Sequence, residues 1–314
     1  MSDAINSGKI LKYIDRINDN HAPITADIFL DNYCNNKCGY CTYRRWEFSS
    51  DAYSMPIDDF VRYAVRLREL GVQGFILTGG GEPTIAKDFG DITKWLEDTG
   101  IPYGINTNFN RFVEINPDYL KVSLDAWDED SYEAKRGVRA YKTVIENICE
   151  YAQYKTNATR LGIQLLAKNT EEVDRFYEAN MNLPVDYIVI RPVESTDGEY
   201  YHKHPDTKSI TDKIDAIKKN DDRVIKNFKW NMLGIQFDSC IGQWSQIALN
   251  EHGEVMYCCH KPYQIIGHIM DDDILEKKRL AHTDMSMCDV PCRLTSTNHI
   301  LSQVYGEQAN KEFI

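Results

Sequence analysis

The chain has no apolar run near the ~18 residues that a membrane-spanning helix needs. Its N-terminus, MSDAINSGKILKYIDRIND, has no apolar core of the kind a secretory signal carries. Both absences point to a cytoplasmic protein that does not cross a membrane. Positive charge is also scarce. Its 36 Lys and Arg against 48 Asp and Glu leave a formal charge of -12, with no basic stripe. That argues against direct nucleic-acid binding, whose energy comes mainly from clustered Lys and Arg. There is no internal repeat or low-complexity tract, and none of the eight histidines forms a helical i, i+4 metal pair. A disulfide framework is not expected either. In a reducing compartment thiols stay open, and 314 residues, 42% of them hydrophobic, build a sizeable core without staples. Metal ligation is then the better reading of nine cysteines.

What is present, from Ala26 to about Arg191, is a series of short apolar runs alternating with stretches of helical period. This is the pattern of β/α units on a parallel sheet. The runs are ADIFL (26–30), GFILT (74–78), YGINT (103–107), LKVSL (120–124), LGIQLLA (161–167) and YIVIR (187–191). After the first, PIDDFVRYAVRLREL opens with Pro56 and two acids and puts Phe60, Tyr63, Ala64 and Leu67 on one helical face. Further helices are expected at 87–98, 141–155, 171–180 and 209–219. Six such units predict an α/β fold, a partial (β/α)6 relative of the eightfold TIM barrel with one side open. Around 194–230 the composition shifts to charged and turn-forming residues, read as the last barrel segment and a linker. The expected organisation is an N-terminal extension over 1–25, a barrel over 26–229 and a smaller unit over 230–314.

Cys34, Cys38 and Cys41, in DNYCNNKCGYCTYRRW (31–46), follow directly on the first strand, where barrel enzymes place their chemistry. A zinc site closes with four ligands and a cubane iron–sulfur cluster has four irons, so three thiolates leave one coordination position open. Taken alone, the three are also compatible with a partial zinc site. After the second strand, LTGGGEPT (77–84) places Gly80, Gly81 and Glu82. Consecutive glycines let backbone approach a ligand closely, and a carboxylate at the mouth suits an ammonium. Alone, this is an ordinary tight turn. The fourth strand ends VSLDA, with Ser123, and YEAKRGVRAY carries an Arg-Gly turn at Arg136.

Together these features resemble the radical S-adenosylmethionine (radical SAM) superfamily: the C-x3-C-x2-C spacing with Tyr40 before the third cysteine, the GGE turn, and the two downstream positions. The resemblance implies that Cys34, Cys38 and Cys41 bind three irons of a [4Fe–4S] cluster whose fourth iron is chelated by S-adenosylmethionine. It implies a cofactor site of Tyr40, Gly80, Gly81, Glu82, Ser123 and Arg136. Glu82 would face the methionine ammonium, Ser123 the nucleoside or methionine carboxylate, and Arg136 that carboxylate through its guanidinium fork. The third strand ends INTNFN where many relatives have a Thr-Asn-Gly turn, and Phe109 in place of the glycine weighs against ligand roles for Thr107 and Asn108.

The remaining clustered cysteines are Cys240, Cys258, Cys259, Cys288 and Cys292. The run from Cys240 through Gly253 to Cys258 resembles the C-x9-15-G-x4-C opening of the auxiliary-cluster domains called SPASM and twitch. QIALNEHGEVMYCC reads as a hairpin with Gly253 at its turn. The C-x2-C-x5-C-x3-C run of a full SPASM domain is missing. The resemblance therefore implies a twitch-type domain with one [4Fe–4S] cluster on Cys240, Cys258, Cys288 and Cys292. Structural zinc is the alternative. Glycine spacing selects Cys258 over Cys259 as the ligand, and Cys149 reads as a small buried residue on a helix. His202 and His204 read as part of a solvated segment, and His260 stands beside the auxiliary cysteines. Tyr43, Arg44, Arg45 and Trp46 line the substrate mouth or pack.

The implied activity is reductive cleavage of S-adenosylmethionine to a 5′-deoxyadenosyl radical that abstracts a substrate hydrogen, with flavodoxin or ferredoxin as electron donor. Only about 25 residues precede the first strand, too few for a small independent recognition fold. That favours a small molecule, oxidised by dehydrogenation or bond formation, and no catalytic side chain is assigned. The alternatives are a tethered substrate (peptide, protein or nucleotide) or a non-catalytic iron–sulfur carrier or sensor.

Overall fold

The computed structural model describes residues 12–20, 22–41, 43, 52–193, 207–227, 230, 239–259, 261, 264–281 and 294–305. Each apolar run read from the sequence is a strand. They are β1 (Thr25–Phe29), β2 (Gly74–Thr78), β3 (Tyr103–Thr107), β4 (Tyr119–Val122), β5 (Arg160–Ala167) and β6 (Tyr187–Pro192), paired in parallel in that order. A seventh parallel strand, β7 (Val224–Lys226), adds beyond β6 in the stretch read as linker. With three residues and only Val224 buried, it is too short to show a period.

The helices expected from the period are present, together with two that were not expected, over Ile14–Asn20 and Glu129–Arg136. Among the described residues, α1 (Ile14–Asn20) precedes β1, while α2 (Ile57–Glu69) and α3 (Phe89–Thr99) follow β1 and β2. Both α4 (Glu129–Arg136) and α5 (Tyr141–Tyr154) follow β4, and α6 (Thr170–Asn180) and α7 (Thr207–Lys218) follow β5 and β6. In α2 the buried residues are Phe60, Tyr63, Ala64 and Leu67. They share one core with alternate strand residues such as Leu77, Val122, Ile163 and Ile188. The intervening residues Thr78, Asn106 and Ser123 face a cavity on the other side of the sheet. Cys149, on α5, is half-buried instead of buried.

On that inner side two tyrosines lie over glycines. A Cβ at Gly104 would fall 2.0 Å from the Tyr119 ring, and one at Gly162 would fall 2.1 Å from the Tyr187 ring. The absent side chains make room for the rings on neighbouring strands.

The sheet crosses the boundary expected near residue 230. Strand β8 (Gln246–Leu249) pairs in parallel with β1, from Thr25 against Gln246 to Ile28 against Leu249. Strands β9 (Glu254–Met256) and β10 (Ile265–His268) continue it antiparallel, giving the order β10-β9-β8-β1-β2-β3-β4-β5-β6-β7 in one open sheet. The expected hairpin is therefore present, and its Gly253 takes the left-handed φ of 77° that its turn requires. This turn seats on α2, where the Tyr63 hydroxyl donates to the His252 carbonyl at 3.1 Å. Two more helices follow, α8 (Ile274–Ala281) and α9 (Thr295–Tyr305). Leu301 of α9 packs with Ile17 of α1 and with Ile24. Among the described residues no helix is long and apolar enough to cross a membrane.

Overpacking a filled interior typically costs about 1–3 kcal/mol. Gly104→Ala, which drives a methyl into the Tyr119 ring, should lower unfolding stability by about that much, read as a fall in the urea midpoint at unchanged slope. An unchanged midpoint would show that the ring has room to move.

Candidate active site

At the carboxyl ends of β1 to β4 a cavity of about 590 Å³ is lined by Cys34, Cys38 and Cys41, by Gly80, Gly81 and Glu82, and by Ser123 and Arg136. The structure thus brings together every cluster and cofactor residue assigned to the barrel except Tyr40, whose neighbours are described below. Thr107 and Asn108, which the loss of the turn glycine weighed against, line the same cavity. The turn survives that loss. Phe109 itself takes a left-handed φ of 59°, and burying its ring against Tyr151 offsets the strain.

The glycine turn after β2 is stitched to the cysteine loop. Gly81 N donates to the Asp31 carbonyl at 2.9 Å and Glu82 N to the Tyr33 carbonyl at 2.7 Å. A Cβ on Gly81 would stand 1.8 Å from the Tyr33 carbonyl oxygen, so the residue must be glycine. The close approach it permits is to the backbone of the cysteine loop, not only to a ligand.

Glu82 is committed to the protein. Its Oε1 accepts from the Thr84 hydroxyl at 2.7 Å, the Thr84 amide at 3.2 Å and the Thr107 hydroxyl at 2.5 Å, and its Oε2 accepts from the Asn108 amide at 2.7 Å. Burial raises the Glu82 pKa above its usual range, and these donors oppose the rise. Behind the turn lies Asp31, which sequence reasoning passed over. It is 2% exposed, and its Oδ1 has no hydrogen-bond partner. Burial, then the charges of Glu82 and Glu251, push its carboxyl up to about 8.

Arg136 reaches the cavity from the end of α4, but its fork is already engaged. One terminal nitrogen donates to the Ser123 carbonyl and to Asp125, and the other to Cys38 Sγ at 3.5 Å. Nε is buried and without a partner. Asp125, fully buried, also accepts from the Leu166 amide at 2.7 Å and from the Tyr40 hydroxyl at 2.8 Å. The Tyr40 side chain is thus turned into the protein, with the Arg136 guanidinium 5.8 Å from its ring centroid. Asp125 was legible only as the acid in VSLDA. Further hydrogen bonds hold the loop around Cys34. Lys37 N donates to the Arg136 carbonyl at 2.8 Å, Asn108 to Asn35 at 2.6 Å and Asn110 to Asn36 at 2.6 Å.

Residues 28–179 match the family model described as Radical SAM superfamily. The matched segment, just under half of the chain, is a radical SAM domain. Among curated proteins it is similar to the probable GTP 3′,8-cyclase of Saccharolobus solfataricus, 27% identical over 60% of this chain and 64% of that protein. The match spans less than two thirds of that relative's length. It is also similar to the probable GTP 3′,8-cyclase of Sulfurisphaera tokodaii, 26% identical over 80% of this chain and 87% of that protein. Among solved structures it resembles Streptococcus suis SuiB bound to precursor peptide SuiA, with a TM-score of 0.64 at 16% identity over 86% of this chain and 68% of that one. It resembles anSMEcpe with bound AdoMet at 0.62 and 16%, over 83% of this chain and 80% of that one. At such identities the structural likeness shows the fold alone.

A radical SAM enzyme carries a [4Fe–4S] cluster and S-adenosylmethionine, and the donor set fits them. Three thiols line one cavity together with Arg136, and among the described residues that line it there is no fourth cysteine or histidine. Among the described residues no three His, Cys, Asp or Glu side chains gather as a single-ion site would require. A cubane asks for less convergence, because each thiolate takes a different iron. In the C-terminal segment Cys240, Cys258 and Cys259 are buried, while Cys288, Cys292 and His260 lie outside the described residues, as do Arg44, Arg45, Trp46, His202 and His204. Cys259 packs among Phe29, Ala248 and Met256, and its carbonyl accepts from Tyr43, a cavity-lining residue, at 2.7 Å. The buried Lys278 donates to the Gln243 carbonyl. Burial lowers its pKa to about 7, opposed by the charge of Cys240.

The Asp31 environment has a pH signature. Its unfolded pKa is about 3.9. Between there and about 8 the unfolded chain has lost a proton that the folded chain keeps, so this group's contribution falls as pH rises through that window. In the cofactor-free chain, Asp31→Asn should stabilise little near pH 4 and most above pH 8, measured by urea unfolding across the range. A difference that does not grow with pH would show Asp31 to be ionised in the folded chain.

Proposed function

We propose that this radical SAM enzyme oxidises a small molecule admitted to the cavity above Cys34, Cys38 and Cys41. The observation that carries the reading is the convergence of the three cysteines, the Gly80-Gly81-Glu82 turn, Ser123 and Arg136 on one cavity at the carboxyl end of the sheet. When bound, the cluster and S-adenosylmethionine supply the electron and the 5′-deoxyadenosyl radical that takes a hydrogen atom from the substrate. The chain's own residues bind and orient. Cys34, Cys38 and Cys41 hold the irons, Glu82 fixes the glycine turn beside the methionine ammonium, and Ser123 and the Arg136 Nε stand on the carboxylate side. Cys240 and Cys258, with Cys288 and Cys292, are assigned to a second [4Fe–4S] cluster in a twitch-type unit, which supplies an acceptor for the second electron of an oxidation. The pairing of β8 with β1 supports this, because it ties the segment between Cys240 and Cys258 to the strand that leads into the cysteine loop. Flavodoxin or ferredoxin is the assigned electron donor.

A second reading is favoured by the curated relatives, whose names make them GTP cyclases. On that reading the substrate is a purine nucleotide and the outcome a rearrangement. Product mass separates the two. Oxidation gives a product lighter by two hydrogens with stoichiometric 5′-deoxyadenosine, whereas an unchanged mass favours the nucleotide rearrangement and leaves the second cluster without an electron-accepting role.

Anaerobic reconstitution should load about eight irons, and replacing Cys34, Cys38 and Cys41 together by Ala should leave about four. Zinc in place of the residual iron would remove the second cluster. Glu82→Gln turns an amide NH2 toward a backbone donor, either the Asn108 amide or the Thr84 amide. It should weaken S-adenosylmethionine binding by ten- to a hundredfold, the range of about 1.5–3 kcal/mol for a hydrogen bond to a charged group, with iron content intact. Unchanged affinity in a binding titration would free Glu82 of that role.

A further inference from the structure

We infer that Arg136 is a hydrogen-bond donor to the cluster ligand Cys38, placed to raise the reduction potential of the iron–sulfur centre, in addition to any contact it makes with S-adenosylmethionine. The inference rests on the reading of Cys34, Cys38 and Cys41 as cluster ligands.

Five observations carry it. The Arg136 terminal nitrogen stands 3.5 Å from Cys38 Sγ, within reach of an N–H···S bond. The guanidinium is held in place by three other contacts, the Asp125 carboxylate, the Ser123 carbonyl and the face of the Tyr40 ring. Its own main chain is tied to the same loop, since Lys37 N donates to the Arg136 carbonyl at 2.8 Å. At Gly137, φ is 73° and a Cβ would stand 2.5 Å from the Lys37 carbonyl oxygen, so the chain after Arg136 lies directly against the loop. The side chains of Arg136 and Asp125 are 8% and 0% exposed, so the charge acts at low local dielectric, where it counts for more than at the surface.

The electrostatic consequence has a definite sign. Reduction adds negative charge to a centre that already bears thiolates, and hydrogen bonds to the sulfurs together with nearby positive charge favour the reduced form. With its fork committed to Asp125, Ser123 and Cys38, Arg136 cannot also form a two-point pair with a methionine carboxylate in this arrangement. Both hydrogens of the nitrogen facing Asp125 are used, and the Nε hydrogen and the second hydrogen of the nitrogen facing Cys38 are left, on different edges of the guanidinium. Asp125 is then a positioning residue, whose carboxylate holds the guanidinium against the sulfur.

The test is a dye-mediated redox titration, followed by EPR, of the reconstituted full chain without S-adenosylmethionine. The signal that changes on later addition of S-adenosylmethionine identifies the barrel cluster. Arg136→Gln should shift that potential to more negative values. Arg136→Lys should shift it the same way but less, because it keeps the charge and loses the planar fork. Arg139→Gln removes the same charge from an exposed arginine three residues along and should leave it unmoved. Potentials unchanged in both Arg136 variants, with weaker S-adenosylmethionine binding, overturn the inference and return Arg136 to the carboxylate alone. If Arg136→Gln fails to load iron, the Lys variant decides by the same criterion. A parent chain that holds no iron at Cys34, Cys38 and Cys41 fails the underlying reading instead.

Discussion

One buried ion pair, Asp125 with Arg136, carries the architecture of the cavity. Asp125 takes up hydrogen bonds from the cysteine loop through Tyr40, from the end of α4 through Arg136 and from β5 through the Leu166 amide. Three segments with no regular hydrogen-bonding ladder between them are thereby fixed to one carboxylate. Removing one partner of a buried pair strands the other charge at a typical cost of about 3–5 kcal/mol, so these residues behave as a unit. Asp125 takes a left-handed φ of 55°, a conformation that side-chain-bearing residues seldom adopt, and its three hydrogen bonds help to hold it there.

The same economy of contacts governs the other wall. Glu82 gathers Thr84, Thr107 and the Asn108 amide, so the loops after β2 and β3 share one carboxylate, and the glycines before it let the turn rest against the cysteine loop. Asp31 sits behind this junction without a donor for Oδ1. Burial first, and then the charges of Glu82 and Glu251, raise its pKa.

The C-terminal segment is built onto the barrel instead of hung from a linker. Through β8 it shares the ladder of β1, and through the hairpin turn it rests on α2. A strand edge that an open barrel would leave exposed is therefore covered by the chain's own hairpin. The hairpin that leads into Cys258 is thereby tied, through β1, to the strand that leads into the loop carrying Cys34.

The sequence by itself determined the elements and the ligand types. Alternation of apolar residues placed β1 to β6 and the main cover helices, because backbone period is local. The cysteine spacing and the GGE turn marked the cavity, because both are short motifs with restricted chemistry. The tertiary structure decided what those residues do with their hydrogen bonds. The Arg136 fork faces Cys38 and Asp125, the Tyr40 hydroxyl turns to Asp125, Phe109 takes the left-handed conformation in place of a glycine, and β8 joins β1. The bonds from Tyr40 and Arg136 to Asp125 and Cys38 join residues up to 98 positions apart, and the one from Tyr43 to Cys259 spans 216. A side chain with several donors chooses among acceptors by distance and burial, quantities that exist only once the chain has closed on itself.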